Sequence, residues 1–268
     1  MATSSKHALI VGASSGIGLA VAQQVAPFVT KLTLCSRSCP MDLVASIKAK
    51  NPDVEVVHER LDMSLLLEVR KFTLKHATTN FDWVVLAAGM MFFSERVVTA
   101  EGLDNKMSTM YYARLNRPGV RVLCVLAAGQ ANVAPVMDDL GVKRSYSTSR
   151  CAHATVLYLD LMAQSLSEHA PLASFMHIDP GFVRTAYFDN AAWYMRLPMK
   201  AIAAVLADSP EKVAQVILKT LTAEEYAVGW KLLDKRAEEV PKTKFHTEEL
   251  KDAVWEHTLQ TIDNVLKQ

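Results

Sequence analysis

The sequence predicts an α/β fold, a doubly wound and mostly parallel sheet covered by helices on both faces. Three observations carry this. Short β-branched runs alternate with amphipathic stretches from the first residues onward. The runs are apolar at successive positions, as strands buried on both faces are. A glycine-rich turn, Gly12-Ala13-Ser14-Ser15-Gly16-Ile17-Gly18, follows the first run directly and opens the first helical pattern.

Strands are expected at 7–11, 31–36, 54–57, 83–88, 120–126 and 174–178. Between them, Ile17, Val21 and Val25 repeat every fourth residue until Pro27, a pattern at 41–50 stops at Asn51-Pro52, and 64–79, 101–114 and 146–169 keep the same helical spacing. After Ile178 a Pro-Gly turn leads into an aromatic, Met-rich segment at 187–199, which reads as part of a lid-like insertion near 186–208. A helix at 210–222, a strand at 227–233 and an amphipathic helix from Thr247 onward complete the chain. No repeat or linker interrupts it, so residues 1–268 read as a single domain.

Composition narrows the function. Of 268 residues 50% are apolar, and 29 lysines and arginines face 28 acids for a net charge of +1. Such a balance offers no field to gather nucleic acid or anionic lipid. Cys35, Cys39, Cys124 and Cys151 form neither a disulfide framework nor a set with zinc spacing, and no metal site is expected; they read as reduced thiols of a cytoplasmic protein. The first apolar run ends at glycines rather than at a cleavage site, which marks a strand and not a signal peptide. The apolar stretch 193–207 contains Arg196, Pro198 and Lys200 and falls short of the roughly 20 unbroken apolar residues that span a bilayer.

Within the glycine turn, the first glycine lets the backbone bend, the later ones let it approach a pyrophosphate, and the helix N-terminus supplies free N–H groups with positive dipole character. This is dinucleotide-binding chemistry in a Rossmann setting. The spacing GxxxGxG resembles that of the short-chain dehydrogenase/reductase family. Other segments follow in the family's order. Leu86-Ala87-Ala88-Gly89 is similar to its NNAG segment with both asparagines lost, and Leu61-Asp62 to its adenine-contacting Asp. Tyr146 to Arg150 is similar to its YxxxK, and Pro180-Gly181-Phe182-Val183-Arg184-Thr185 to its PGxVxT nicotinamide loop. The resemblance runs from about residue 6 to 235, and Ala100-Glu101-Gly102-Leu103, Val125-Leu126-Ala127-Ala128-Gly129 and Trp255-Glu256-His257-Thr258 point to fungal and retinol-dehydrogenase-like members.

The resemblance implies a nicotinamide cofactor held by Gly12, Ser14, Ser15, Gly16, Ile17, Gly18, Asp62, Ala88, Gly89, Tyr146, Arg150, Pro180, Gly181, Val183 and Thr185. An acid at the end of the second strand would bind the adenosine ribose hydroxyls and repel a 2′-phosphate. That strand instead ends Leu34-Cys35-Ser36-Arg37-Ser38, where Arg37 can pair with a 2′-phosphate, so NADP(H) is favoured.

The family's catalytic set is a Tyr proton donor, a Lys that tunes it and holds ribose, a substrate-binding Ser and a relay Asn. Tyr146 fills the first role, and Arg150 stands where Lys is expected, one helical turn on. The serine position falls at Ala127, with Gln130 or Asn132 as amide substitutes, and the asparagine position falls at Met110. Asp179 beside the nicotinamide loop is a candidate acid, base or counterion to a cationic substrate such as an iminium, by analogy with fungal members. From Glu101-Gly102 to the fifth strand the connection is shorter than the family's, either naturally or through a defective gene model. Because that helix packs in the family's dimer interface, a monomer or weak homodimer is expected.

These readings predict an NADP(H)-dependent oxidoreductase acting on a carbonyl, alcohol or imine of an apolar small molecule, in secondary metabolism. An isomerase or cyclase that uses the nucleotide structurally, and a catalytically impaired NADP-binding protein, remain the alternatives.

Overall fold

The structure, a computed structural model, describes residues 5–89, 96–111, 120–185 and 206–267. Its strands are β1 (His7–Val11), β2 (Lys31–Ser36), β3 (Glu55–Arg60), β4 (Trp83–Leu86), β5 (Arg121–Val125), β6 (Ser174–Ile178) and β7 (Gly229–Leu233). They form one sheet in the order β3-β2-β1-β4-β5-β6-β7, parallel throughout. The chain order reverses between β1 and β4. In such sheets, ligands bind at the carboxyl ends of the strands beside that switch point.

The helices are α1 (Gly16–Val25), α2 (Leu43–Lys48), α3 (Leu66–Lys75), α4 (Asn105–Met110), α5 (Thr148–His169), α6 (Pro210–Thr222) and α7 (Glu248–Leu266). Alternation along each strand divides the core between two layers. Ile10, Leu34, Val85, Leu123 and Met176 pack against α1, α2 and α6. Leu9, Cys35, Val84, Val122 and Phe175 face the layer of α3, α4, α5 and α7.

Several boundaries differ from those the sequence suggests, each for a local reason. β3 runs on through His58, Glu59 and Arg60, because an edge strand leaves one flank to water and tolerates polar residues. The third helix starts at Leu66 rather than 64, since the Ser64 amide bonds Asp62 Oδ1 at 2.9 Å and the Leu66 and Leu67 amides bond Glu101 at 2.6 and 2.9 Å. With Glu101 so engaged and Gly102 at φ +74°, the fourth helix cannot begin at 101. Asp104 caps it instead, accepting from the Lys106 and Met107 amides, and helix α4 is six residues long. Residues 112–119, which include the expected end of that helix, lie outside the described residues, as does the 186–205 part of the lid-like insertion. The two ends of that insertion meet, for Arg184 N donates to Asp208 O and Asp208 N to Phe182 O, both at 2.9 Å.

Candidate active site

The glycine turn closes on itself and on β4. A Cβ on Gly18 would stand 2.2 Å from Gly12 O, and one on Gly12, whose φ is +88°, would stand 2.6 Å from Ala88 N. Only hydrogen fits at either place, so the glycine turn packs directly against the backbone of Ala87 and Ala88 after β4, beside the switch point. Helix α1 has no acid in its first turn, and its N-cap, Ser15, makes no side-chain cap bond. The first turn of α1 therefore holds no carboxylate of its own to compete for its amides. A turn that only hydrogen can line, leading straight into a helix N-terminus, suits a pyrophosphate.

At the end of β2, Ser36 is buried and its hydroxyl donates to Ser38 O at 2.7 Å while lying 2.9 Å from His58 Nε2. That contact folds the loop so that Arg37 and Ser38 are exposed beyond the strand. Burial lowers the proton affinity of His58, favouring a neutral ring there. Asp62 has a second duty besides the one the resemblance implies, since its Oδ1 accepts from both the amide and the hydroxyl of Ser64.

The segment after β6 reaches back to α1. Thr185 Cγ2 lies 3.3 Å from where a Cβ on Gly16 would stand. Val183 is buried in the α1 layer, and Gly181 turns the chain at φ +68°. Asp179 holds that turn, its carboxylate accepting from Gly181 N at 2.9 Å, while burial pushes its carboxyl above the usual range. The arrangement gives Asp179 a turn-forming role before Pro180.

Tyr146 is held by its preceding loop. The amides of Lys143, Arg144 and Ser145 converge on Asp139 at 2.9, 3.0 and 2.8 Å. Burial favours the neutral acid, but these backbone N–H groups outweigh it and hold the Asp139 carboxyl below its usual range. Ser147 then caps α5, accepting from Arg150 N at 3.1 Å. Tyr146 thus precedes the N-cap, and the helical i, i+4 alignment with Arg150 that the sequence suggests is absent.

A residue absent from the sequence reading occupies the position beside the tyrosine. Lys106 of α4 donates from Nζ to the Tyr146 hydroxyl at 2.7 Å, and it is only 2% exposed. Asp104 fixes the first turn of α4 beneath it, and Cys151 of α5 completes the cluster with Sγ 3.6 Å from Asp104 Oδ1. Burial first, and then the Asp104 charge, push the Cys151 thiol up to about 12, so it stays a neutral packing group. Met110 is buried, whereas Gln130 and Asn132 are exposed. The backbone after Ala127 and Ala128 is held by a buried carboxylate, since Gly129 N donates to Asp160 at 3.1 Å and His177 Nδ1 lies 2.6 Å from the same group.

The fold has counterparts among solved structures. A short-chain dehydrogenase from Burkholderia cenocepacia in complex with NADP superposes with a TM-score of 0.59 at 17% identity, covering 88% of this chain and 98% of that one. A 3-oxoacyl-[acyl-carrier protein] reductase from Brucella melitensis in complex with NAD gives 0.61 at 15% identity, covering 87% and 96%. The fold is that of the short-chain dehydrogenase/reductases. No protein-family model matches the sequence. Among curated proteins, an NmrA-like family domain-containing oxidoreductase, notO, of an Aspergillus species is 28% identical over 66% of this chain, and the match spans 60% of that relative's length. Mouse polyprenol dehydrogenase is 25% identical over 94% of this chain and 82% of its own. Its sequence relatives are thus named oxidoreductases and dehydrogenases. Several solved short-chain dehydrogenase/reductase structures of this fold hold a nicotinamide dinucleotide. Among the described residues no helix is long and apolar enough to cross a membrane.

Proposed function

We propose that the protein is an NADP(H)-dependent oxidoreductase that reduces a carbonyl or imine, or oxidises the corresponding alcohol, on an apolar small molecule. The observation that carries this reading is a phenol, Tyr146, bonded to a buried ammonium on the same sheet edge as a glycine cradle only hydrogen can line. Gly12, Ser14, Ser15, Gly16, Ile17 and Gly18 would hold the pyrophosphate, and Asp62, Ala88 and Gly89 the adenosine side. Pro180, Gly181, Val183 and Thr185 would border the nicotinamide, and Arg150 would reach its ribose. Exposed Arg37 directly after β2 favours the 2′-phosphorylated cofactor. When bound, that cofactor supplies or accepts the hydride.

Tyr146 gives its phenolic proton to the substrate oxygen in reduction and takes it back in oxidation. Asp179 supports the loop that borders the nicotinamide. An apolar substrate agrees with the name of the mouse relative, whose substrate polyprenol is an apolar alcohol. Two Aspergillus relatives carry the name oxidoreductase, in keeping with redox chemistry, and the role proposed for it is in secondary metabolism. Residues 1–268 are read as one domain, in the cytoplasm, working as a monomer or weak homodimer.

Ala127, where the family places a hydroxyl, favours a second reading, an NADP-binding protein with impaired catalysis. A melting series with NADPH and NADH, followed by NADPH consumption across a panel of apolar ketones, aldehydes and imines, separates the two. The proposal expects a larger rise with NADPH and turnover of at least one compound. Binding without turnover across the panel favours the second reading, and no rise with either nucleotide overturns both.

A further inference from the structure

We propose that Lys106, supplied by α4, and not Arg150 of the YxxxR segment, is the positioning and charge-stabilising residue for proton transfer at Tyr146. The inference rests on the reading of Tyr146 as the proton donor. An ammonium has three donors and no acceptor, so in the 2.7 Å contact the Tyr146 oxygen must accept. Its own O–H is thereby turned away from Lys106. When that proton leaves for the substrate oxygen, the phenolate that forms lies at hydrogen-bond distance from a fixed positive charge in a water-poor setting. Charge developing in a transition state is stabilised most by a group already in place.

Lys106 is built for such a role. Its side chain is 2% exposed, and a buried ammonium is costly unless its partners compensate it. Its backbone is locked by the Asp104 cap, and α4 is tied to α5 through the Cys151–Asp104 contact and through Thr155 Oγ1 against Met107 Sδ. Among the described residues, Asp104 on α4 and Cys151 on α5 act on one another and on Lys106, and Asp139 sits in the loop that leads to Tyr146. Cys151 stays neutral, and Asp139 is already bound by three backbone amides. Arg150, by contrast, follows the Ser147 cap while Tyr146 precedes it, so the spacing that would bring it to the phenol does not apply. It is left for the nicotinamide ribose.

The test compares Lys106→Met with Arg150→Ala in the full chain. Retained melting behaviour first establishes that each variant is folded, and Lys106→Met is in addition expected to keep the parent's NADPH-induced rise. In the protein without nucleotide, the tyrosinate absorbance that Tyr146→Phe removes is expected to emerge at higher pH in Lys106→Met than in the parent, and to be unmoved in Arg150→Ala. With a turned-over carbonyl, Lys106→Met is expected to lower kcat by about 10²-fold with little change in the KM for NADPH. Arg150→Ala is expected to raise that KM. Should Lys106→Met leave both the absorbance and kcat unmoved, or should Arg150→Ala alone shift the absorbance, the proposal is overturned. If Lys106→Met does not fold, Lys106→Gln, which keeps a donor and drops the charge, is read in the same way. A parent without any turnover defeats the oxidoreductase reading but leaves the titration to decide the Lys106 proposal.

Discussion

Lys106 Nζ and the Tyr146 hydroxyl, 40 residues apart in the chain, meet at 2.7 Å. The first belongs to a six-residue helix and the second to a loop, and each is held independently, α4 by the Asp104 cap and the loop by Asp139. Because the sheet is parallel, the glycine turn after β1, the segment after β4 and the segment after β6 all leave the same end of it. The geometry of the site is therefore set by caps and glycines as much as by the sheet.

The glycine cradle gives the first prediction. Because a Cβ on Gly18 would lie 2.2 Å from Gly12 O, Gly18→Ala must push α1 away from the crevice. Overpacking of this kind costs about 1–3 kcal/mol. Chemical denaturation should report that loss, and the NADPH-induced rise in melting temperature should vanish. A full rise in the variant would show that the cradle is not the nucleotide's seat.

Arg37 gives the second. Its guanidinium is exposed just past β2, where only a 2′-phosphate distinguishes the two cofactors. A charge-assisted hydrogen bond contributes roughly 1.5–3 kcal/mol, so Arg37→Ala should weaken NADPH binding about 10- to 100-fold while leaving NADH nearly unchanged. Calorimetric titration with both nucleotides measures the difference, and equal losses would count against the assignment.

Asp139 gives a prediction in pH. Its carboxyl is held below its ordinary value of 3.8 in the folded chain, so the contribution is complete above 3.8 and is lost as pH falls through the lower folded value. Melting temperature should thus drop in acid below that value. Asp139→Ala removes the acceptor of three loop amides, which should cost about 1–3 kcal/mol at neutral pH and flatten that part of the acid dependence. It should also lower kcat, since the same loop carries Tyr146. Circular dichroism melts across pH, for parent and variant, check both.

Much of the fold is legible in the sequence because buried parallel strands leave few readings. The apolar runs 7–11, 31–36 and 174–178 coincide with β1, β2 and β6. The glycine spacing was legible for a steric reason that GxxxGxG states directly. What was not legible depends on distant partners. Glu101 looked like the start of a helix, yet it caps α3 from 35 residues away. Lys106 carries no signal of its own in the sequence beyond a lone charge in a run of Met, Ser and Thr, because helical spacing cannot show that α4 is buried from Lys106 through Met110. The Tyr146–Arg150 spacing reads as one helical turn, whereas α5 starts after Tyr146, at a Ser147 cap that shows only in the bond its hydroxyl accepts from Arg150 N.

Nicotinamide-dependent chemistry in this protein is proposed to run through Tyr146, and NADPH consumption by the parent and by Tyr146→Phe, followed in parallel across a panel of apolar carbonyl compounds, decides it. Turnover of at least one compound by the parent is expected, with a loss of about 10²-fold or more in kcat for the variant and its NADPH-induced melting shift retained. Equal rates for parent and variant would remove Tyr146 from the reaction.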